Sequence, residues 1–212
     1  MIAWWTSTWA YWQSGGILLI PLAIVHFAIW AYYLKSRRLM MEELQSGVGL
    51  ASKLSDMPRK GAETQLDSVL VEQSGKMSLL LMEALRDIRY GALPREACVK
   101  RERQARHLWR RDLLVLAALT GVAPLLGLLG TVSGMIFTFD AVAATAGDTA
   151  SRVAEGVSTA LITTQFGLII ALPGIFGMAR LQRLIQAVEV KFAECRSLML
   201  LVLDNQPEGR TA

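Results

Sequence analysis

The sequence predicts an all-α membrane protein with three transmembrane helices, the second and third of which extend into a polar helical bundle. Of its 212 residues, 53% are hydrophobic and only 19% are charged, which is more apolar than a typical soluble domain. Residues 15–34, 113–139 and 156–179 contain no Asp, Glu, Lys or Arg. Each segment is long enough to cross a hydrocarbon core, which takes about 20 residues of helix.

Basic residues predict the orientation of the three spans. They are concentrated at the ends of residues 35–112 and at the start of the tail 180–212, whereas residues 1–14 contain no Lys or Arg and the loop 140–155 contains only Arg152. The positive-inside rule therefore places the N-terminus and the loop outside the cytoplasm, and the other two segments inside it. The first span lacks a basic leader and a small-residue cleavage pattern, so we expect a retained anchor and not a signal peptide.

The remaining segments are assigned from helix-breaking residues and from aromatic residues. The tail 1–14 is rich in Trp, as is typical of a membrane interface. Residues 40–54 and 78–89 are predicted cytoplasmic helices, and Pro94 suits the first turn of a long helix that continues to the end of the second span. The third helix is expected to continue through Leu203, and the last eight residues are expected to be disordered.

Two charge-free spans carry a stripe of small and hydroxyl residues at spacings of three and four, which places each stripe on one helix face. Close packing between helices is one interpretation, and its residues are Pro124, Gly127, Gly134, Ala160, Gly167, Ala171, Pro173 and Gly174. The lining of a polar path is the other, and its hydroxyl residues are Thr120, Thr131, Thr138, Thr159, Thr163 and Thr164. Gln165 points away from this face and is expected to bond to a neighbouring helix.

The chemistry of these stripes is limited, because hydroxyl groups do not titrate near neutral pH. Proton transport coupled to work needs a carboxylate or an imidazole in the path, and the second and third spans contain neither. A titrating group is therefore expected from another polypeptide. No phosphate loop, metal-ligand spacing or nucleophile motif is present, which argues against an enzyme. The net charge of +4 comes from the membrane flanks, so we expect no nucleic-acid partner.

Two sequence blocks carry a family resemblance. Residues 127–139 are GLLGTVSGMIFTF and residues 156–173 are GVSTALITTQFGLIIALP. Together they resemble the MotA/TolQ/ExbB proton-channel family and are most similar to its ExbB members. The resemblance is detailed over residues 113–183, and the order of the remaining segments agrees with the family layout.

The resemblance implies a pentamer in the bacterial inner membrane around helices of an ExbD-like single-span partner, which supplies an intramembrane Asp. Proton flow would then drive a TonB-like protein and, through it, outer-membrane receptors. By position in the motif, Thr131 and Thr164 resemble the hydroxyls that face the partner's Asp. Many members have Glu where this chain has Thr159, and Glu155, one turn outward, is the candidate outer carboxylate.

Protons are the expected coupling ion, and no other cofactor is expected apart from bound phospholipid. The headgroup ligands expected on the cytoplasmic side are Arg103, Arg106, Arg110 and Arg111. A TolQ-like subunit for envelope maintenance, or one for export or motility, remains a close alternative. A passive membrane scaffold, whose stripes only hold helices together, is the alternative from a different class.

Overall fold

The computed structural model describes residues 18–57, 62–73, 75–144 and 149–204, and all regular secondary structure within these ranges is α-helical. The helices in chain order are α1 (Leu19–Ser55), α2 (Ala62–Glu72), α3 (Lys76–Arg89), α4 (Pro94–Ala144) and α5 (Thr149–Asp204). The predicted all-α class is confirmed, and α1, α4 and α5 are long and apolar enough to span a membrane. The aromatic tail 1–14 and the expected disordered end lie outside the described residues.

The three long helices continue well past the charge-free segments. Helix α1 joins the first span to the predicted helix 40–54 without a break, because no Pro or Gly lies between them. Helices α4 and α5 have 51 and 56 residues, so they are about 76 and 84 Å long at 1.5 Å per residue. Both exceed by far the hydrocarbon thickness of about 30 Å.

The short helix α2 was not predicted from the sequence. Its two buried leucines, Leu66 and Leu70, are one turn apart and fully enclosed, so packing against the rest of the fold stabilises a segment that is too short to be a stable helix alone. Gly91 has a φ of 96° and lies between α3 and α4, where a left-handed conformation favours glycine.

The described residues form two compact units, which are divided after Leu34, before Leu114 and after Ala179. The apolar unit takes the residues up to Leu34 together with Leu114–Ala179. The polar unit takes Lys35–Leu113 and the residues from Arg180 onward. The division follows the charge pattern of the sequence, since the charge-free segments fall within the apolar unit except for Leu113.

Three helices of the polar unit meet at Gly47. A methyl group added there would lie 2.8 Å from Met77 Sδ on α3 and 2.9 Å from Lys191 Cγ on α5. The Cys195 thiol donates a hydrogen bond to the Gly47 carbonyl at 3.5 Å. A larger residue at position 47 would require the Met77 and Lys191 side chains to shift, so glycine suits this close approach.

Glu43 fixes the beginning of α3. Its side chain is 8% exposed, and its two carboxylate oxygens accept hydrogen bonds from the backbone N–H groups of Lys76 and Met77 at 2.8 and 3.2 Å. A carboxylate at a helix N-terminus satisfies donors that have no intrahelical partner, and it also interacts favourably with the helix dipole. This contact connects α1 to α3.

Ion pairs and one aromatic contact join the other helices of the polar unit. Arg101 on α4 bonds to Glu83 and Asp87 on α3 at 2.5 and 2.7 Å, and its hydrogen bond holds the pKa of the Asp87 carboxyl below its ordinary value. Trp109 on α4 meets Phe192 on α5 edge to face, with 5.7 Å between ring centroids, in the core of this unit.

Candidate functional site

The candidate site lies on the antiparallel hairpin that α4 and α5 form in the apolar unit. A methyl group at Gly167 would lie 3.0 Å from Gly127 Cα and 2.9 Å from the Ala123 carbonyl oxygen, and one at Gly134 would lie 3.0 Å from Ala160 Cβ. The backbones are therefore in contact over several turns. This is the close approach that small residues allow between membrane helices.

Other residues of the predicted packing set belong to the same contact. Ala160 and Ala171 are buried, each 4% exposed. Pro124 and Pro173 lie inside continuous helices and are half-buried. Each proline lacks an N–H, so the carbonyl four residues earlier has no intrahelical donor.

Three of the six candidate threonines are buried between the two helices. Thr120, Thr138 and Thr163 are 4%, 2% and 1% exposed. Each fits against a glycine of the facing helix, in the pairs Thr120–Gly174, Thr138–Gly156 and Thr163–Gly130. Their hydroxyls donate to backbone carbonyls of their own helix. Within one chain they have the surroundings of packing residues, and their contribution to a pore lining stays a prediction.

Gly130 also belongs to this contact, since it faces the Thr163 side chain, and its pairing with Thr163 was not predicted. The signal that could have identified it is its position three residues after Gly127, on the same helix face.

Thr131 and Thr164 differ from these three because both are only half-buried. Thr164 donates its hydroxyl proton across the hairpin to the Gly127 carbonyl at 3.1 Å. Thr131 donates to the Leu128 carbonyl at 2.7 Å. Gly127 lies four residues, or about 6 Å along the helix, before Thr131 on α4. The role of Thr131 and Thr164 in a proton path stays a prediction.

Both hydroxyl oxygens keep acceptor capacity, because each hydroxyl has a single proton and that proton is engaged. In this arrangement each oxygen can accept a hydrogen bond from a water molecule or from a protonated carboxylic acid. An ionised carboxylate is only an acceptor, so it would need a threonine to break its backbone bond and rotate.

The acidic residues Glu155 and Asp140 lie beyond this hydroxyl pair, toward the start of α5 and the end of α4. Thr159 is half-buried, and its hydroxyl donates to the backbone carbonyl of Glu155 at 3.0 Å. The side chain of Glu155 is exposed one turn further out, and that of Asp140 is exposed near the end of α4. Within the described part of α4 and α5, residues 113–139 and 156–179 contain no acid. The role of Glu155 stays a prediction.

The four arginines expected to bind phospholipid headgroups are all exposed on α4. Arg106 pairs with Glu102 at 3.1 Å on the same helix. Arg110 bonds to Glu189 of α5 through two contacts of 3.0 and 3.3 Å. Arg103 lines a shallow surface depression of about 470 Å³ with Arg95 and Lys100. Of the four arginines, Arg111 is the closest in sequence to the apolar unit.

The sequence of this chain is similar to those of known proteins. Residues 78–194 match the MotA/TolQ/ExbB proton channel family. Biopolymer transport protein exbB1 of Vibrio cholerae is 44% identical over 75 residues, which cover 35% of this chain and 33% of that protein. Biopolymer transport protein ExbB of Pseudomonas putida is 26% identical over 225 positions, which cover 97% of this chain and 67% of that protein. Tol-Pal system protein TolQ of Haemophilus influenzae is 33% identical over 95 residues, which cover 45% of this chain and 42% of that protein.

The chain thus spans about a third of the first of these relatives and about two thirds of the second. The family match takes in most of α3, all of α4 and the greater part of α5, including the close hairpin contact and the threonine pair. With three helices that can span a membrane, the chain is a multi-pass membrane protein that belongs to the MotA/TolQ/ExbB proton channel family.

Proposed function

We propose that this chain is an ExbB-like subunit of a motor that is driven by the proton-motive force across the bacterial inner membrane. Five copies form a ring around helices of an ExbD-like partner, which supplies an intramembrane Asp, and the motor drives a TonB-like protein that energises outer-membrane transport. The observation that carries the proposal is the half-buried pair Thr131 and Thr164 on an acid-free hairpin.

The two threonines serve as the wall of the proton path in this proposal. Their oxygens accept a hydrogen bond from the partner's Asp while that Asp is protonated. Loss of the proton leaves a carboxylate that the pair no longer stabilises in this geometry, so the partner helix moves relative to the wall. The chain therefore acts by discriminating between two protonation states and not by carrying the proton itself.

The orientation of the chain follows from its charges. The N-terminus and the segment 140–155 lie on the periplasmic side, and the polar unit lies in the cytoplasm as a helical bundle. Arg103, Arg106, Arg110 and Arg111 face the inner leaflet and hold anionic phospholipid headgroups. Native mass spectrometry with no retained phospholipid would contradict this part of the proposal.

The test replaces each hydroxyl with a methyl group of similar size, in Thr131→Val and Thr164→Val. Energised uptake through an outer-membrane receptor should fall by up to about tenfold, which corresponds to the loss of one hydrogen bond of about 1.5 kcal/mol to the protonated acid. Ser158→Ala is the matched control, because it removes an exposed hydroxyl of α5 that is outside the pair. It should retain uptake.

Assembly is measured in parallel, by co-purification of the chain with its single-span partner. The proposal requires lost uptake with normal assembly. Normal uptake in both valine variants would leave the threonines with a packing role only, and would support the passive scaffold instead.

A TolQ-like role in envelope maintenance is the second candidate, and the match to the Haemophilus influenzae TolQ supports it. The two roles share the threonine pair and differ in the partner. Co-expression with an ExbD-like and a TolR-like protein separates them, because the true partner should remain bound to the chain through detergent extraction.

A further inference from the structure

His26 is the one ionisable side chain in residues 18–31, inside the span of α1. It belongs to the stripe that this helix buries, since Leu22 and Ile29 on either side of it are 0% and 2% exposed. Its Nδ1 atom is enclosed and forms no hydrogen bond within the described part of the chain. Polar atoms enclosed at membrane depth normally have a partner. This nitrogen therefore points to a group that the protein encloses with it.

The side chains around His26 do not supply that partner. The imidazole meets the ring of Phe27 edge to face, with 5.9 Å between the centroids, and this contact contains no hydrogen bond. Residues 114–139 and 156–179, which are the charge-free parts of α4 and α5 in the same apolar unit, offer no charged side chain. The strongest acceptors that remain in these spans are backbone carbonyls without a helical donor.

The register of α1 against α5 follows from the contact between Tyr33 and Gly177. A methyl group added at Gly177 would lie 3.2 Å from Tyr33 Cδ2. Both helices leave the apolar unit within two residues of this contact, so they run in the same direction. His26 precedes Tyr33 by seven residues, and Ile170 precedes Gly177 by seven, which is about 10 Å along each helix. His26 is thus level with Ile170.

Pro173 frees a carbonyl at this level. It lies inside α5 and has no N–H, so the carbonyl of Ile169 lacks its intrahelical donor. Helical carbonyls point toward the C-terminus, which brings the Ile169 oxygen to the level of Ile170. Pro173 is four residues before Gly177, about 40° around the helix from it, and is therefore on the side of α5 that meets α1. The imidazole nitrogen and the freed carbonyl lie at one level of the same helix–helix contact.

We infer that a water molecule bridges His26 Nδ1 and the Ile169 carbonyl between α1 and α5. A direct bond is not formed, because Nδ1 has no partner within hydrogen-bond distance in the described residues. Water both donates and accepts, so it satisfies Nδ1 whether or not this nitrogen carries a proton, and it donates a hydrogen to the carbonyl in either case. Enclosed water molecules make about two to four hydrogen bonds, and this site offers two.

The water site is separate from the threonine pair. Pro173 is nine residues after Thr164, which is two and a half helical turns, so the two residues point to opposite sides of α5. The inference therefore goes beyond the proposed function and does not depend on it. It gives the apolar unit a second polar position at membrane depth, on the side of α5 that meets α1.

The test is transfer of magnetisation from water to the histidine nitrogens, measured by solid-state NMR on the full chain in lipid bilayers. The other histidine, His107, is exposed on α4, and His107→Gln leaves His26 as the sole source of imidazole signals. Nδ1 is identified by its coupling to Cγ. We expect a cross-peak from water to Nδ1 that persists when a paramagnetic chelate in the bulk solution relaxes the surface water.

Two proline variants test the carbonyl partner. Pro173→Ala restores an N–H that bonds to the Ile169 carbonyl, so the water competes for its acceptor and the cross-peak should fall by about twofold or more. Pro124→Ala is the matched control. It also restores a helical N–H, but Pro124 precedes Thr131 by seven residues and lies on the face of α4 that carries that threonine. The cross-peak should be unchanged in this variant.

Four outcomes overturn the inference. If Nδ1 shows no cross-peak to water but a direct coupling to the Ile169 carbonyl, the two groups bond without a bridge; if it shows neither, the site is dry. Loss of the cross-peak on addition of the chelate assigns the water to the bulk. An undiminished cross-peak in Pro173→Ala assigns it to another acceptor. An equal loss in Pro173→Ala and Pro124→Ala shows that helix repair in general, and not the Ile169 carbonyl, changes the signal.

Discussion

Replacing Gly174 with alanine should destabilise the hairpin through one defined clash. The added methyl would lie 2.6 Å from Thr120 Oγ1 and 2.9 Å from Thr120 Cγ2, well inside ordinary van der Waals separation. Overpacking of this kind costs about 1–3 kcal/mol. The better helix propensity of alanine offsets about 0.5–1 kcal/mol. We expect a net loss of about 1 kcal/mol in the free energy of unfolding.

The complementary variant Thr120→Ala removes Oγ1 and Cγ2, the two atoms closest to the methyl group added at residue 174. Alone it loses the hydrogen bond to the Leu116 carbonyl at 2.8 Å and leaves a small void, at a cost of about 1–2 kcal/mol. In the double variant the methyl of residue 174 occupies that void, with the nearest remaining atom of residue 120 at 3.2 Å. The two changes should therefore be coupled by about 1 kcal/mol or more in the favourable direction.

Unfolding of the four proteins in one detergent, followed by circular dichroism against denaturant, measures this coupling. Gly121→Ala is the matched control, because a methyl there meets nothing within 4 Å, and it should leave stability unchanged or raise it. Additivity of the two changes within about 0.5 kcal/mol would refute size complementarity at this pair. A loss in Gly121→Ala equal to that in Gly174→Ala would refute it as well.

Three further predictions concern the polar unit. Burial raises the pKa of the Cys98 and Cys195 thiols, that of Cys195 to about 11. A water-soluble maleimide at pH 8 should therefore label both cysteines slowly until the protein is unfolded. Equal labelling rates before and after unfolding would contradict this prediction. Glu43→Gln should cost about 1–3 kcal/mol, since charge-assisted hydrogen bonds to the start of α3 are weakened, and hydrogen exchange should accelerate at the first turn of α3 before it does elsewhere in that helix. The pKa of Asp87 is lowered by the hydrogen bond from Arg101, so its stabilising effect is present above the ordinary carboxyl value and disappears as the pH falls below about 4. The free energy of unfolding, measured between pH 2 and 6, should depend less on pH in Asp87→Asn than in the parent protein. An identical slope in the two proteins would exclude a contribution of the Asp87–Arg101 pair to acid stability.

The sequence predicted the long helices better than the short one. Charge-free runs of about 20 residues mark membrane-length helices directly, because hydrocarbon tolerates few charges. Helix α2 has no such signal, and burial of Leu66 and Leu70 decides its existence. The continuity of α1 through Ser55 was also missed, because a change from apolar to polar composition is not in itself a helix boundary.

The candidate site was predicted as a set of residues but not as an arrangement. All the threonines of the two stripes recur at similar spacings, so spacing alone could not separate those that pack from those that stay half-buried, and only the family resemblance singled out Thr131 and Thr164. The separation depends on the residue opposite. Thr163 faces Gly130 and is enclosed, whereas Thr164, the next residue, bonds across the hairpin and stays half-buried.

By itself, the sequence determined that the chain crosses a membrane and that its two hydroxyl-bearing spans contain no acid, because both conclusions depend only on which residue types are present. The tertiary structure alone decided which threonines are enclosed and which stay half-buried. That outcome depends on the register of α4 against α5, which the contact of Gly127 with Gly167 sets. Register is a property of two surfaces in contact, and neither helix contains it alone.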